Sequence, residues 1–480
     1  MYLEKVKEIP YITTLKETVE KKKLNMWLVG GFLRDLYLRR KSKFDFDFVA
    51  NVNPYKVALE FSQKIGAHLV VLDEEEKIYR VVFKKDNEEI RYDFSSFKGK
   101  NLEEDIKNRD FTINTLAVSL NKLPQIEVID LLGAKKDLRN RVLRLTQEKV
   151  ILQDPLRILR AFSLSSKYNL KIEKNTLKIL SKYRKYLINV SGERINEELF
   201  KILDCKFSYK TIKLMDSLYI IDEIIPHISS MREVYQGGYH HLDVWRHSLE
   251  TLRCFEFLYH RYLRKFKKIK KYLDEELAYQ RKRLYILKLA CLLHDIGKPK
   301  AKKIKNNRTV FYTHEKIGYE MCEEIAVKLK LSAKEKETLK KLVFWHMRPG
   351  SLIQAGIPTK RAVFRFFRDT EPEGLSIIFL SIADWRATRG ELVDRKNRQQ
   401  QERILFKIVK EKLEKKKEKP LPKIVDGYAI MEKFNLTPSP LVGEILKKIK
   451  EEQALGRIKT KREAFLVAEK ILKRRRRNES

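Results

Sequence analysis

The fold of the N-terminal part is decided by MWLVGGFLRD at residues 26–35 and FDFDF at residues 44–48. An apolar stretch runs into two glycines, a helical stretch follows, and a strand-like run then alternates phenylalanine with aspartate. Because side chains alternate along a strand, the phenylalanines should face a core while Asp45 and Asp47 share the opposite face. Glycines let backbone N–H groups approach a phosphate closely, and a helix N-terminus favours anions.

These two acids predict a Mg²⁺ site. Carboxylates that share one face repel each other, and a divalent cation between them removes that repulsion. A glycine turn beside such a site suits in-line attack on a nucleotide phosphate. Taken singly, Gly-Gly is an ordinary turn and Asp-x-Asp an ordinary solvated strand edge. Their conjunction with the alternating phenylalanines favours the functional interpretation.

The composition implies a polyanionic partner. The 480 residues carry 103 Lys and Arg against 65 Asp and Glu, a net charge of +38. Nucleic acid is the leading candidate, and an anionic membrane surface is the alternative. We expect a cytoplasmic protein, since there is no spanning apolar run and no apolar signal segment in residues 1–10. The cysteines have no CxxC spacing and should be free thiols: Cys205, Cys254, Cys291 and Cys322.

The pattern along the chain predicts an α+β fold. Strand-like runs at residues 70–72, 79–83 and 90–94 mix with helical stretches up to about residue 140, and the remaining pattern is mostly helical. A basic run occupies residues 473–477. Such a run is either a solvated tail or a set of phosphate contacts.

A second motif is NRDFTINTLA at residues 108–117. The Arg109 side chain can form bidentate bonds to a phosphate or a base edge. Asp110 and Asn114 are four residues apart and should share a helix face. Asp93, on a strand just before, could bring a third acid to the metals. The alternative is an ordinary helix that Asp110 caps, with Asn114 on the surface.

A third motif is DPLRILR at residues 154–160. Asp154 is predicted to cap a helix with Pro155 in its first turn. Asp154 and Arg157 can present an acceptor and donors to one nucleobase edge, so the protein itself could select the base without a nucleic-acid template. A surface salt bridge is the alternative. Arg194, with Glu193 and Glu197, could brace this face or simply be solvated.

A fourth set comprises histidines and aspartates around CLLHDIGK at residues 291–298. Neutral imidazoles and carboxylates suit a transition metal or Mg²⁺ with open positions for phosphate and water. A lone histidine on an apolar helix is more often a satisfied core residue, but the adjacent His-Asp pair has distant partners. The predicted metal ligands are His247, His294, Asp295 and Asp384. A second metal or a phosphate could be bound by His314 and His346.

In their order and residues, the first three motifs resemble those of class II tRNA nucleotidyltransferases, the family of CCA-adding enzymes and bacterial poly(A) polymerases. The resemblance implies a polymerase-β-like head at residues 1–140, a helical neck at 141–228, a body at 229–405 and a tRNA-binding tail at 406–480. It implies addition of C and A to the tRNA 3′ end from CTP and ATP. Expected catalytic residues are Asp45, Asp47 and Asp93; expected nucleotide-binding residues are Gly30, Gly31, Arg34, Arg109, Asp110, Asn114, Asp154, Arg157 and Arg160.

The fourth set resembles the metal site of HD domains. The resemblance implies a divalent metal and, as in some tRNA nucleotidyltransferases, phosphohydrolase activity on 2′,3′-cyclic and 2′-phosphates. A scaffold that merely retains the ligands is the alternative.

Several residues depart from the family pattern. Gln153 stands where Glu is common, Asn108 and Ser163 stand where Arg is frequent, and no long flexible loop separates Asp47 from Arg109. Enzymes that add only CC or only A therefore remain possible. So do a poly(A) polymerase acting on general RNA and an RNA-binding protein without catalysis. The sequence makes no prediction of the oligomeric state.

Overall fold

The computed structural model describes residues 3–40, 44–85, 88–306, 308–414 and 422–479. The chain divides into two compact units, Met1–Ile224 and Ile225–Ser480. The first unit contains a large sheet and its helices, and the second is almost wholly helical. The predicted α+β class is therefore confirmed.

A seven-stranded sheet forms the centre of the first unit. Its strands are β1 (Met26–Val29), β2 (Asp45–Ala50), β3 (His68–Asp73), β4 (Ile78–Lys85), β5 (Glu88–Ser96), β6 (Ala117–Ser119) and β7 (Val128–Ile129). They lie in the order β3-β4-β5-β2-β1-β6-β7. β2 and β5 run parallel, and the other neighbours run antiparallel. The strands predicted at residues 70–72, 79–83 and 90–94 are confirmed as β3, β4 and β5.

Alternation along β2 places the aromatic side chains in the core. Phe46 and Phe48 are each 1% exposed, and Phe48 stacks on Phe94 of β5 with ring centroids 5.5 Å apart. The prediction is wrong for Phe44, which precedes the strand and is 36% exposed. Because the aromatic rings fill one face of β2, its two aspartates must point to the other.

Helices cover the sheet and continue beyond it. They are α1 (Ile12–Lys21), α2 (Gly31–Tyr37), α3 (Tyr55–Ile65), α4 (Leu102–Lys107), α5 (Ala134–Arg139), α6 (Lys149–Gln153), α7 (Arg157–Tyr168), α8 (Lys174–Lys182), α9 (Gly192–Asp204), α10 (Ser208–Ser217) and α11 (Ile220–Ile224). A short parallel pair joins β8 (Val142–Leu143) to β9 (Lys171–Ile172). Single 3₁₀ turns lie at Leu3–Glu8, Thr112–Asn114 and Arg184–Asn189.

The second unit is built around α13, α15 and α21, which pack on one another. Two hairpins interrupt its helices: β10 (Glu276–Ala278) with β11 (Arg281–Lys282), and β12 (Lys303–Lys305) with β13 (Arg308–Val310). The helices are α12 (Ile228–Met231), α13 (Val244–Arg261), α14 (Lys267–Leu273), α15 (Arg283–Leu293), α16 (Lys298–Ala301), α17 (His314–Lys328), α18 (Ala333–Trp345), α19 (Arg348–Ile353), α20 (Lys360–Thr370), α21 (Gly374–Ala387), α22 (Arg395–Glu414), α23 (Gly427–Phe434), α24 (Pro440–Ala454) and α25 (Lys461–Glu479). A 3₁₀ turn at Leu263–Lys265 follows α13.

The last three helices share a small core of their own, in which Ile430, Ile445 and Ala464 are fully buried. Arg361 and Arg365 of α20 pair with Glu451 of α24 and connect this core to the rest of the second unit. Within the described part of the chain, no helix combines the length and apolarity needed to cross a bilayer.

Candidate nucleotide site and candidate metal centre

A cavity of about 560 Å³ opens in the first unit, on the face of β2 that carries the acids. The predicted residues that line it are Gly30, Gly31, Arg34, Asp45, Asp47, Arg109, Asp110, Asn114, Asp154, Arg157 and Arg160. Its volume lies within the usual range for a small-molecule site. The three N-terminal motifs, although far apart in sequence, thus meet in one place.

The glycine turn lies directly against the acids. β1 pairs with β2 so that Val29 lies opposite Asp47, and Gly30 follows at the end of β1. Gly30 has a φ of +80°, and a Cβ there would lie 3.0 Å from the Asp47 carboxylate. A larger residue would therefore be strained in its backbone and would crowd the acid. The glycine keeps open the space beside the carboxylate.

The Asp47 carboxyl group has an unusual environment. Its pKa is raised from 3.8 to about 6, mainly by burial; the Arg109 charge lowers it, and the charges of Asp93 and Asp45 contribute to the increase. A carboxylate pair in such a place fits a divalent cation, which would remove the cost of burying like charges. Asp45 and Asp47 supply the oxygen ligands that Mg²⁺ prefers.

Asp93 differs from the other predicted head residues because it does not line the cavity. It lies beside Asp47 in the β2–β5 register. Both of its carboxylate oxygens, however, accept hydrogen bonds from the Arg80 guanidinium at 2.7 Å. Its catalytic role stays a prediction, and its charge acts on Asp47 from beside the cavity.

Arg109 and Asp105 line the cavity next to the glycine turn. Asp105 accepts from Nε and Nη2 of Arg109 at 3.1 and 3.0 Å, and a Cβ on Gly30 would lie 3.6 Å from Nη1 of Arg109. Asp105 is 3% exposed, so this hydrogen-bonded pair is sheltered from water. The guanidinium is thereby held with one edge toward the glycine turn.

Asp110 anchors the second motif to the third. Its carboxylate accepts from Asn114 Nδ2 at 2.8 Å and from Arg160 Nη2 at 2.9 Å. The predicted helix face is wrong here, because the backbone forms a 3₁₀ turn at Thr112–Asn114. The buried charge of Asp110 and the Arg160 guanidinium neutralise each other, and the pKa of the carboxyl falls despite its burial.

Arg34 makes more contacts within the protein than its motif predicts. It donates from Nη1 to Asn114 Oδ1 at 2.7 Å and from Nε to Asp35 Oδ1 at 2.9 Å. Its guanidinium also lies over the Tyr168 ring, 4.2 Å from the centroid, and donates to the Tyr168 hydroxyl. Most of its donors are therefore used to hold the cavity wall together, and the side chain is part of the cavity lining.

Asp154 and Arg157 both line the cavity, but the local structure differs from the prediction. α7 begins at Arg157, not at Pro155, and Asp154 ends α6. The Asp154 side chain accepts from Leu156 N at 3.2 Å and from Arg194 Nη2 at 2.9 Å. Arg157 Nη1 donates to the carbonyl oxygens of Asn108 and Val150, each at 3.2 Å. Both side chains are thus held in place before any ligand binds.

Sequence reasoning missed several lining residues, among them Asp105, Tyr168 and Glu198. Asp105 could have been found, because it is four residues before Arg109 on a helical stretch. Tyr168 gave no signal, since it meets Arg34 across 134 residues. Glu198 is 3% exposed and accepts from the Ser163 hydroxyl and from Lys201. Ser163 therefore does not leave a gap where the family often has Arg.

The second unit brings the six predicted histidines and aspartates together in two adjacent groups. One group is His247, His294 and Asp384; the other is Asp295, His314 and His346. Within each group the ligand atoms lie within 4.8 Å of one another. The two Asp295 oxygens face different groups, with Oδ2 3.3 Å from His294 Nε2 and Oδ1 3.5 Å from His314 Nε2. Each Asp295 oxygen could therefore contribute a ligand to a different group.

The imidazoles are oriented for metal binding. Nδ1 of each of three rings lies within hydrogen-bond distance of a backbone carbonyl: His294 with Cys291 at 3.1 Å, His314 with Phe311 at 2.8 Å and His346 with Val343 at 2.7 Å. A donating Nδ1–H leaves Nε2 with a free lone pair. His294 Nε2 is fully buried and makes no hydrogen bond to any described residue. An inward-facing, unsatisfied nitrogen fits a metal.

Burial and neighbouring charges shift the pKa values of the residues in this centre. Burial lowers the pKa of His346 to about 3 and also lowers that of His247, so these rings are neutral at pH 7. Burial would raise the pKa of Asp295, yet His294 and Lys298 hold it well below its usual value. The Lys298 ammonium lies 2.7 Å from Asp295 Oδ2. His240, which sequence reasoning missed, packs edge-on against His247 with centroids 4.7 Å apart.

The chain is similar to known proteins over most of its length. Family models match at residues 26–144 (Poly A polymerase head domain), 169–231 (probable RNA and SrmB-binding site of polymerase A) and 244–389 (HD domain). The A-adding tRNA nucleotidyltransferase of Deinococcus radiodurans is 30% identical over 449 residues, covering 91% of this chain and 93% of that protein. The CC-adding tRNA nucleotidyltransferase of Thermus thermophilus is 29% identical over 446 residues, covering 91% of each.

Solved structures show the same fold. A CCA-adding enzyme with ATP aligns with a TM-score of 0.66 at 20% identity, covering 97% of this chain and 96% of that one. The Thermotoga maritima CCA-adding enzyme in complex with tRNA aligns at 0.63 and 20% identity, covering 96% and 94%. The matches to the Poly A polymerase head and HD domain models, together with the similarity to the two sequence relatives, define a nucleotidyltransferase with an HD domain. The extent and identity of the sequence match are more specific: the chain belongs to the tRNA nucleotidyltransferase family.

The environment of Asp47 leads to a stability prediction. Since its pKa is about 6 when folded and 3.8 ordinarily, the charged carboxylate destabilises the metal-free fold. This cost is absent below pH 4, grows between pH 4 and 6, and is constant above. Asp47→Asn should therefore raise the free energy of unfolding by about 1–3 kcal/mol at pH 8. Denaturant unfolding in EDTA at pH 5 and pH 8 measures this, and a gain that does not increase with pH would contradict it.

Proposed function

We propose that this enzyme adds C, A or both to the 3′ end of tRNA, using CTP and ATP and no nucleic-acid template. The observation that carries the proposal is the single cavity in which the glycine turn, the paired acids and the Asp154–Arg157 pair meet. The division into head (1–140), neck (141–228), HD body (229–405) and tail (406–480) belongs to the same proposal. The net charge of +38 supports binding of a large nucleic acid.

Asp45 and Asp47 would hold Mg²⁺ in the cavity, with the charge of Asp93 beside them. The bound ion would supply activation of the tRNA 3′-hydroxyl and neutralise charge on the triphosphate. The glycine turn offers backbone N–H groups and space for phosphates next to the acids. Arg109, beside the glycine turn, and Arg160, which is paired with Asp110, would donate hydrogen bonds to the triphosphate and orient it. The chain itself thus binds and aligns the two reactants.

Base selection is assigned to Asp154 and Arg157. Their hydrogen bonds to Arg194 and to backbone carbonyls fix both side chains before the nucleotide arrives. A fixed acceptor beside fixed donors can distinguish the Watson–Crick edges of C and A from those of G and U. Arg194 and Asn108 act as positioning residues in this proposal.

The acids are tested by Asp45→Ala. We expect loss of Mg²⁺-dependent nucleotide incorporation, on the order of a thousandfold or more, because the cation loses a ligand at the reacting phosphate. Incorporation of labelled CTP or ATP into tRNA measures it, and an unchanged unfolding midpoint shows that the fold survives. Glu89→Ala, an exposed acid on β5, is the matched control. Full activity of the Asp45 variant would refute the metal role.

Base selection is tested by Arg157→Ala. The ratio of kcat/KM for correct and incorrect nucleotides should fall about tenfold or more, since a well-aligned base contact is worth roughly 1–3 kcal/mol. tRNA affinity should change much less. Arg184→Ala, which removes an arginine outside the cavity, serves as control. Selectivity equal to the parent enzyme would count against base reading by this residue.

The nucleotide added is determined by supplying tRNAs that end before CC, after C or after CC, each with labelled CTP or ATP. Competition with generic RNA separates this activity from poly(A) addition. Preference for generic RNA over tRNA lacking its terminus would overturn the proposal. Absence of Mg²⁺-dependent incorporation into any RNA would also overturn it and would indicate a non-catalytic RNA-binding protein.

A second activity, hydrolysis of phosphate esters at the HD centre, is favoured by the six converging ligands. Asp295 lies between the two groups, and the anchored rings of His294, His314 and His346 turn their Nε2 atoms toward it. Divalent metal there would supply an activated water and neutralise the phosphate. The family resemblance implies that the substrates are 2′,3′-cyclic phosphates and 2′-phosphates.

The separation of the two activities is tested by His294→Ala. Metal-dependent hydrolysis of a 2′,3′-cyclic nucleotide should disappear, while nucleotide addition persists, because the two sets of residues lie in different compact units. His227→Ala, a histidine outside the centre, should retain both. Loss of both activities in the His294 variant would mean that the sites are not separable.

A further inference from the structure

A second cavity in the second unit is lined mainly by arginines. It measures about 530 Å³ and lies between α13, the C-terminal end of α21, and α22. Five arginines and a single acid, Glu402, are among its twelve lining residues. The arginines are Arg253, Arg386, Arg389, Arg395 and Arg398. Neither the nucleotide cavity nor the HD metal ligands include any of them.

Three of these arginines are neutralised within the protein. Arg386 pairs with Glu402 at 2.8 Å. Arg253 and Arg389 share Glu250, at 2.5 and 3.0 Å. Two acids thus balance three guanidinium groups, and one positive charge is left over in this part of the cavity.

The other two arginines, Arg395 and Arg398, make no ion pair or side-chain hydrogen bond with the residues that the structure describes. Arg398 is half-buried, and its guanidinium lies over the Trp385 ring, 5.3 Å from the centroid. Burial lowers the pKa of Arg398, while the more distant charges of Asp384 and Glu402 only partly oppose this. A desolvated cation without a close partner is costly, so an anion bound here would be favoured.

The cavity is built on a rigid frame. Gly390 in the loop between α21 and α22 donates to Tyr239 O at 2.8 Å, and a Cβ at Gly390 would collide with the backbone of Gly238. Asp394 accepts from the backbone N–H groups of Lys396 and Asn397 and fixes the start of α22. The arginines are therefore positioned before a ligand arrives, which lowers the entropy lost on binding.

We propose that this cavity binds a nucleoside di- or triphosphate, separately from the head. Five arginines against Glu402 and Glu250 leave an excess of three positive charges, which matches the three to four negative charges of such a phosphate chain. The Trp385 ring and the 40% exposed Phe257 offer an aromatic surface for the base. A cavity of this size accommodates a small ligand better than a continuous RNA strand.

The test uses photolabelling of the full chain with 8-azido-ATP in EDTA, followed by mapping of the labelled peptides. We expect label on residues 253–257 or 385–402, displaced by ATP and by tripolyphosphate. Mapping separates this label from label in the head, so the result is independent of the proposed transferase function.

The decisive variant is Arg395→Gln with Arg398→Gln. It should weaken labelling at the cavity on the order of tenfold or more, since hydrogen bonds between charged groups are worth roughly 1.5–3 kcal/mol each. Arg403→Gln with Lys407→Gln removes the same charge from an exposed face of α22 and should leave labelling unchanged. No label at the cavity, or equal effects of both double variants, would overturn the proposal. Displacement by tRNA but not by ATP would assign the surface to RNA and overturn it as well.

Discussion

The nucleotide cavity depends on two like-charged carboxylates that β2 places on one face. Aromatic rings fill one face of this strand, so Asp45 and Asp47 must lie on the other, and Asp93 adds its charge from the parallel neighbour. Arg80 and Arg109 compensate part of this negative charge, but burial, and to a smaller extent the charges of Asp93 and Asp45, raise the pKa of Asp47. The metal-free fold therefore tolerates an unfavourable arrangement that a divalent cation would relieve. Gly30 preserves the space in which this happens.

The HD centre also contains buried acids, but it holds them by different interactions. Here histidine rings surround the space that a cation would occupy, and the lowered pKa values of His247 and His346 leave those two rings uncharged at pH 7. Backbone carbonyls fix the Nδ1 atoms of His294, His314 and His346, and the Nε2 atoms converge on Asp295. Lys298 already lies against that carboxylate, so a metal would compete with an ammonium group. The two centres therefore differ: burial disfavours the charge of Asp47, whereas neighbouring cations stabilise the charge of Asp295.

The sequence predicted the contents of both centres because their motifs are contiguous runs on regular elements. Alternation in β2 and the His-Asp pair at the end of α15 required only local geometry. The local predictions failed where tertiary contacts decide: Phe44 is exposed, Asp110 and Asn114 lie in a 3₁₀ turn, and Asp154 precedes α7. The partners of the site residues were mostly invisible, since Tyr168 meets Arg34, and Arg194 meets Asp154, only after the chain has folded.

The most direct measurement of the central claim is a crystal structure of the full chain with Mn²⁺ and a non-hydrolysable ATP analogue. Anomalous scattering locates the ions independently of the protein atoms. We expect ions bound to the carboxylates of Asp45 and Asp47, at about the 2.0–2.2 Å typical of such ligands, with the triphosphate beside Gly30 and Gly31. Ions and triphosphate bound away from these carboxylates, with both side chains turned out of the cavity, would contradict the claim.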